Sequence, residues 1–217
     1  MHLRALVAAL SLVVACGTDH SPVNQPLPSR YAIHMKVVDD SSTRIQQLCD
    51  RVPIDKPNGV VARSDHWDGE DGRRHDDCYL TGPSPDAIEA FVASEPTLAL
   101  PHDRELAFQK IDGRWRTYLL FPTIELDATA VSHAHASTDP ETNRPTVMLD
   151  LTPIGAQQFG ALTARIAGHK LAVLVDGRVV SAPVIAHAIT SGHAAVSFDP
   201  TATEATANAL AEKLDSP

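Results

Sequence analysis

Lys170-Leu171-Ala172-Val173-Leu174-Val175-Asp176-Gly177-Arg178-Val179-Val180-Ser181-Ala182-Pro183-Val184-Ile185 is the stretch that decides the fold. Lys170 to Val175 reads as a buried strand, and it stops at Asp176-Gly177. An Asp-Gly pair between two apolar stretches marks a two-residue hairpin, because both central residues of that turn take positive φ. Arg178 to Ile185 is then the returning strand. Pro183 has no N–H to give to a ladder, so this strand lies at a sheet edge or bends there.

The neighbouring segments extend the pattern. Thr152-Pro153 combines a side-chain N-cap with a first-turn proline, and Ala156, Phe159, Leu162 and Ile166 follow at helical spacing. Gly168 is placed to end that helix in the left-handed conformation. Thr146 to Leu151 alternates as a strand with Val147, Leu149 and Leu151 inward, and Ala194 to Phe198 predicts another strand. Thr201-Ala202-Thr203-Glu204 has the form of a capping box, opening a last helix with Ala207, Leu210 and Leu214 inward. Towards the N-terminus, Tyr31 to Val38 alternates as a strand, and Ser42 to Arg51 carries Ile45, Leu48 and Cys49 on one helical face. Ser84-Pro85 opens a helix with Ile88, Phe91 and Val92 as its stripe. Glu105 to Lys110 and Arg114 to Phe121 are strands joined across Asp112-Gly113, and Ile124 to Leu126 is a short strand. Strands and helices are mixed with two hairpins and no repeated βαβ unit, which predicts an α+β fold of helices on a mostly antiparallel sheet.

The chain has 217 residues, 43% apolar and 21% charged, enough to bury a real core and too apolar for disorder. With 27 Asp and Glu against 18 Lys and Arg, its net charge of −9 argues against nucleic acid as a partner. The N-terminus reads as an address. Arg4 precedes an apolar run from Ala5 to Ala15, about half the length needed to cross a bilayer, as in a secretory signal. Val13-Val14-Ala15-Cys16 resembles the bacterial lipobox. That resemblance implies cleavage after residue 15, a diacylglycerol on Cys16, and a lipid anchor in the cell envelope. Residues 16–30, polar with three prolines, read as a tether. Gly17 after the cysteine resembles the enteric signal for the outer membrane, facing the periplasm.

Two further cysteines, Cys49 and Cys78, remain in an oxidising compartment, where a disulfide is the economical reading. Two free thiols or half of a metal site are the alternatives. Between them, Asp65 to Asp77 holds six carboxylates and no core period, and is expected as an exposed loop with Trp67 packed over the disulfide.

Several stretches together resemble the periplasmic head of the SecD family, a membrane component of bacterial protein export. They are Asn143-Arg144-Pro145-Thr146-Val147, Leu151 to Ala156, Phe159, Thr163, the Gly168 to Ile185 run, Leu100 to Phe108, and the helix from Ala205 to Leu214. The resemblance runs from Ser84 to Leu214, assigns residues 84–217 to the head domain, and implies a ferredoxin-like α+β module that contacts polypeptide and is not an enzyme. The family's multi-spanning membrane domain has no match in this sequence, so translocase activity is not carried over. Residues 31–83 match no named pattern.

Among candidate sites, His133-Ala134-His135 and the histidines of residues 65–77 lack the spacing of a zinc site, and Ser181 sits in no nucleophile elbow. No catalytic residue, metal or cofactor is expected. Arg178, Ser181, Pro183 and His187 are the candidate contacts for a polypeptide or envelope-protein partner. A second reading, from another class, is a metal-dependent or unrecognised envelope enzyme using residues 65–77.

Overall fold

A computed structural model describes residues 33–53, 55, 58–69, 72–198 and 201–215. The signal, Cys16 and the tether lie outside the described residues. In chain order the elements are β1 (Ile33–Val37), α1 (Thr43–Asp50), β2 (Val61–Asp68), β3 (Arg74–Gly82), α2 (Pro85–Ala93), β4 (Glu105–Ile111), β5 (Arg114–Leu120) and β6 (Leu126–Asp127). They continue with β7 (Val131–Thr138), β8 (Pro145–Leu151), α3 (Pro153–Arg165), β9 (Leu171–Val175), β10 (Arg178–Ser181), β11 (His193–Ser197) and α4 (Glu204–Asp215). The fold is α+β, with the strands divided over three antiparallel sheets of order β10-β9-β1-β6, β11-β8-β7 and β2-β3-β5-β4.

The layers follow from which residues each strand turns inward. In β9, Leu171, Val173 and Val175 face a core shared with α3, α4 and the β11-β8-β7 sheet. Its alternate residues Ala172 and Leu174 face Ala107, Tyr118 and Leu120 of the β4–β5 hairpin. A strand buried on both faces reads as a continuous apolar run, as Leu171 to Val175 does. The far side of β3 and β5 is covered by α1 and α2 through Ile45, Leu48, Ile88 and Phe91 on Leu80 and Leu119. The Sγ atoms of Cys49 in α1 and Cys78 in β3 lie 2.08 Å apart.

Local signals act as their chemistry predicts. Asp112-Gly113 and Asp176-Gly177 take φ of 48° and 77°, and 50° and 76°, turning both hairpins. Thr152 Oγ1 accepts from Gly155 N at 3.0 Å and Ser84 Oγ from Ala87 N at 3.1 Å. The last helix is capped at Thr203, whose Oγ1 accepts from Thr206 N, rather than at Thr201 as the capping-box pattern suggests. The strand after Asp176-Gly177 ends early, at Ser181. It is an edge strand, with a register shift between Val179 and Ser181 before Pro183.

The largest departure is at residues 65–77. They are the outer part of a β2–β3 hairpin paired from Val61↔Thr81 to Asp68↔Arg74, closed by Gly69 N donating to Arg73 O. The carboxylates predict an exposed loop, but alternation separates those of the two strands, Asp65, Asp68, Asp76 and Asp77. Asp65 and Asp77 face each other on the inner side, while His66 and Asp76 pair on the outer.

Candidate functional site

Two sheets end side by side here. β10 is an edge of one and β11 an edge of another. After β10 the chain stays against the start of β9. Leu171 N donates to Pro183 O at 3.0 Å, Ile185 N to His169 O at 2.9 Å, and Gly168 N to Ile185 O at 2.8 Å. Ile189 N then donates to Thr163 Oγ1 of α3 at 2.9 Å. Between this segment and β11 lies a cavity of about 280 Å³. Its floor is core: Met35, Phe159 and Val173. Its walls are Pro183, Ile185 and Ile189 on one side and Ala194 to Ser197 on the other. As an end strand, β11 carries a row of backbone donors and acceptors unused by β8.

Pro183 and His187 both line this cavity. Arg178 does not. At the other end of β10 it borders a second cavity of about 400 Å³ with Lys110, Trp115, Val180, Phe198 and Leu210. Ser181 borders neither. It is 3% exposed and opposite Val173, because the register shift turns its side chain into the fold.

Behind the first cavity, the inner face of the β2–β3 hairpin closes on Lys170, itself 3% exposed. Lys170 Nζ donates to Asp65 Oδ2 at 2.7 Å and to Asp77 Oδ2 at 2.5 Å. Arg116 Nη2 reaches the same oxygens at 2.5 and 3.5 Å, and its guanidinium stacks 3.6 Å from the Tyr79 ring centroid. Burial pushes the Asp77 carboxyl up, against the pull of Lys170. Burial also acts on Asp65, but hydrogen bonds from Arg116 and Lys170 outweigh it and hold that carboxyl below its ordinary value. Burial raises the Tyr118 hydroxyl to about 12. It donates to Gln109 Oε1 at 2.7 Å, and Gln109 Nε2 donates to Val180 O of β10 at 3.0 Å.

Trp67, expected over the disulfide, packs elsewhere. Its Nε1 donates to Gly168 O at 2.8 Å, and its ring stacks on His75 at 5.4 Å. Trp67 faces the Asp65 side of the hairpin, while Cys78 faces α1. Asp40 accepts from His169 Nδ1 and Lys170 N, both at 2.7 Å. Gly168, His169 and Lys170 are thus held from one side by the hairpin and Asp40. On the other side they pair with residues 183–185, the cavity wall.

Asp65 and Asp77 are therefore committed to protein cations. His133 and His135 lie on β7, where His133 Nδ1 is 2.7 Å from Asp215 Oδ1. His193 Nδ1 is 2.8 Å from Asp150 Oδ1. Among the described residues no group of three or more His, Cys, Asp or Glu side chains is arranged to hold a metal ion.

The model of the SecDF P1 head subdomain matches residues 104–216. The chain belongs to the SecDF P1 head family. It is 32% identical over 128 residues to the protein translocase subunit SecD of Desulfurispirillum indicum, covering 56% of this chain and 23% of that protein. It is 49% identical over 53 residues to the protein translocase subunit SecDF of Thermus thermophilus, covering 24% of this chain and 7% of that one. The chain thus spans less than a quarter of either relative's length. A solved structure of the membrane component SecDF that enhances protein export aligns at 22% identity over 88% of this chain and 63% of that chain, with a TM-score of 0.45. Among the described residues no helix is long and apolar enough to cross a membrane.

Apart from Met35, every residue lining the two cavities lies inside the SecD-type head, residues 104–216, as do the edge strands β10 and β11. The β2–β3 hairpin lies before it. The head contributes Lys170 and Arg116 to the buried charge cluster, and the preceding residues contribute Asp40, Asp65, Trp67 and Asp77. Sequence reading did not single out Lys170, Arg116, Lys110 or Trp115. A signal existed for the last two: they face each other across the Asp112-Gly113 turn in the hairpin register.

Proposed function

We propose that this chain is a lipid-anchored envelope protein whose SecD-type head holds extended polypeptide, as a non-catalytic accessory to protein export. Lipidation at Cys16 and outer-membrane placement rest on Val13-Val14-Ala15-Cys16 and Gly17, and a Cys49–Cys78 disulfide would form in that compartment. One observation carries the binding reading. The free edge of β11 runs beside an apolar cavity of about 280 Å³ whose floor is already the protein core. A strand added to β11 would satisfy its edge through main-chain bonds irrespective of sequence. Its alternate side chains would enter the cavity and leave water. Such broad recognition suits an unfolded chain in transit. Family membership supports the same reading, since both relatives above are described as protein translocase subunits.

The test is binding of a fluorescent peptide of alternating apolar residues to the soluble, unlipidated protein and to its Ala186→Trp variant, which places an indole in the cavity. The reading expects micromolar binding to the parent and a loss of tenfold or more in the variant, with no change in thermal stability. Equal binding to both proteins would place the polypeptide elsewhere.

A further inference from the structure

The second cavity carries information that the first lacks. Several cations among the described residues are ion-paired: Lys36 with Glu105, Arg104 with Asp39 and Asp103, Arg165 with Glu125, and Lys213 with Asp176. Lys110 and Arg178 form no ion pair, a property they share with Arg44, Arg51, Arg63, Arg114 and Arg144 among the described residues. Both are exposed, and neither has a carboxylate within ion-pair distance among the described residues. Yet they converge on one ring, with Lys110 Nζ 6.0 Å and Arg178 Cζ 5.9 Å from the Trp115 centroid. They do so at the rim of a cavity of about 400 Å³ whose other walls include Phe108, Phe198 and Leu210. Two like charges beside one indole, with no counter-ion among the described residues, leave an electrostatic arrangement that an incoming carboxylate would complete. The acidic residues of the two Asp-Gly hairpin turns do not fill it. Asp176 is taken by Lys213 at 2.7 Å, and Asp112 makes no ion pair among the described residues.

We propose that this cavity binds an acidic polypeptide segment, with a carboxylate set between Lys110 and Arg178 and the adjacent apolar or aromatic side chain against Trp115, Phe198 and Leu210. The inference rests on the polypeptide-binding reading and adds what the bound segment carries. The two cavities flank the same pair of segments. Val180 and Phe198 border this one, and Pro183 and Ser197 border the other. One extended chain along the β10–β11 seam can therefore reach both. A cavity of this size admits one or two side chains rather than a folded surface. Two cations on a chain of net charge −9 do not make an anionic-membrane patch, which needs a cluster of basic residues.

The experiment compares two peptides on the soluble protein. Each has alternating apolar residues, and they differ only in a terminal Glu-Phe or Gln-Phe pair. Binding is read by anisotropy at low and high salt, and by the fluorescence of Trp115 against a Trp115→Phe control. The Glu peptide should bind about fivefold to tenfold more tightly at low salt, the preference fading as salt screens it. It should vanish in Lys110→Gln/Arg178→Gln, which still binds the Gln peptide at the parent level. The charge-reversed Lys110→Glu/Arg178→Glu should prefer a Lys-Phe peptide, a switch that a purely structural role would not produce. Equal binding of the Glu and Gln peptides to the parent overturns the inference while leaving the polypeptide reading intact. Binding of neither peptide overturns both. A Glu-dependent signal that appears only as the protein dimerises in sedimentation assigns the cavity to a second copy of this chain and overturns the peptide inference.

Discussion

Replacing Lys170 by methionine keeps most of the buried stem and removes the charge between Asp65 and Asp77. Two carboxylate oxygens lie 2.7 and 2.5 Å from its Nζ. With charge centres about 4 Å apart and an effective dielectric near 20, each pair is worth about 4 kcal/mol before desolvation. Burying the ammonium offsets much of that, and Arg116 still reaches both carboxylates. Breaking a buried pair from one side leaves an uncompensated charge, so Lys170→Met should lose about 3–4 kcal/mol at neutral pH. The loss has a direction in pH. Asp77 has its folded-state pKa raised, so its penalty is absent below the unfolded value and grows as pH rises; without Lys170 that penalty is larger. Asp65 has its folded-state pKa lowered, so it stabilises above the unfolded value, an effect lost as pH falls; without Lys170 that gain is smaller. Both make the deficit of the variant larger near pH 7 than near pH 4. Urea unfolding followed by circular dichroism at the two pH values reads it directly, and Asp77→Asn in the Lys170→Met background should recover a good part of the loss at pH 7. A deficit under about 1 kcal/mol at pH 7, or one equal at both pH values, would refute the reasoning.

Further outcomes follow from other contacts. A Cβ at Gly155 would stand 2.2 Å from Ala130 O and 2.9 Å from Ala130 Cα, so Gly155→Ala should displace the start of α3 and cost about 3 kcal/mol in thermal or urea unfolding. Thr152→Ala removes the cap on Gly155 N and should cost about 1 kcal/mol by the same measurement. If the proposed Cys49–Cys78 disulfide forms, its cysteines being 29 residues apart, reductant should lower stability by about 3 kcal/mol in urea unfolding, and unchanged unfolding with and without reductant would contradict the proposal.

How much of this was legible depended on range. Caps at Ser84 and Thr152 and the two Asp-Gly turns act over four residues, and composition sufficed to place them. The division into three sheets was not legible, because it depends on which strands pair across the whole chain. β7 was missed for a different reason. Ser132 to Ser137 holds small and polar residues with no β-branched side chain, so His133 and His135 drew attention as a possible ligand spacing rather than as a strand face. The β2–β3 hairpin was hidden by its carboxylates. Its alternation was present, but the cation that makes an inward Asp65 tolerable stands 105 residues away in sequence. At the site, the missing N–H of Pro183 marked an edge correctly, whereas the inward turn of Ser181 depends on a register shift that composition does not encode.

The central claim is that polypeptide adds to the free edge of β11 beside the apolar cavity. Amide exchange across residues 193–197, followed residue by residue by NMR with and without a saturating apolar peptide, tests it most directly. The account predicts new protection at alternate amides of β11, together with shifts of the Ile185 and Ile189 methyl groups, and no change in the β2–β3 hairpin. Saturable binding that leaves β11 exchange unaltered and perturbs residues 61–82 instead would contradict it.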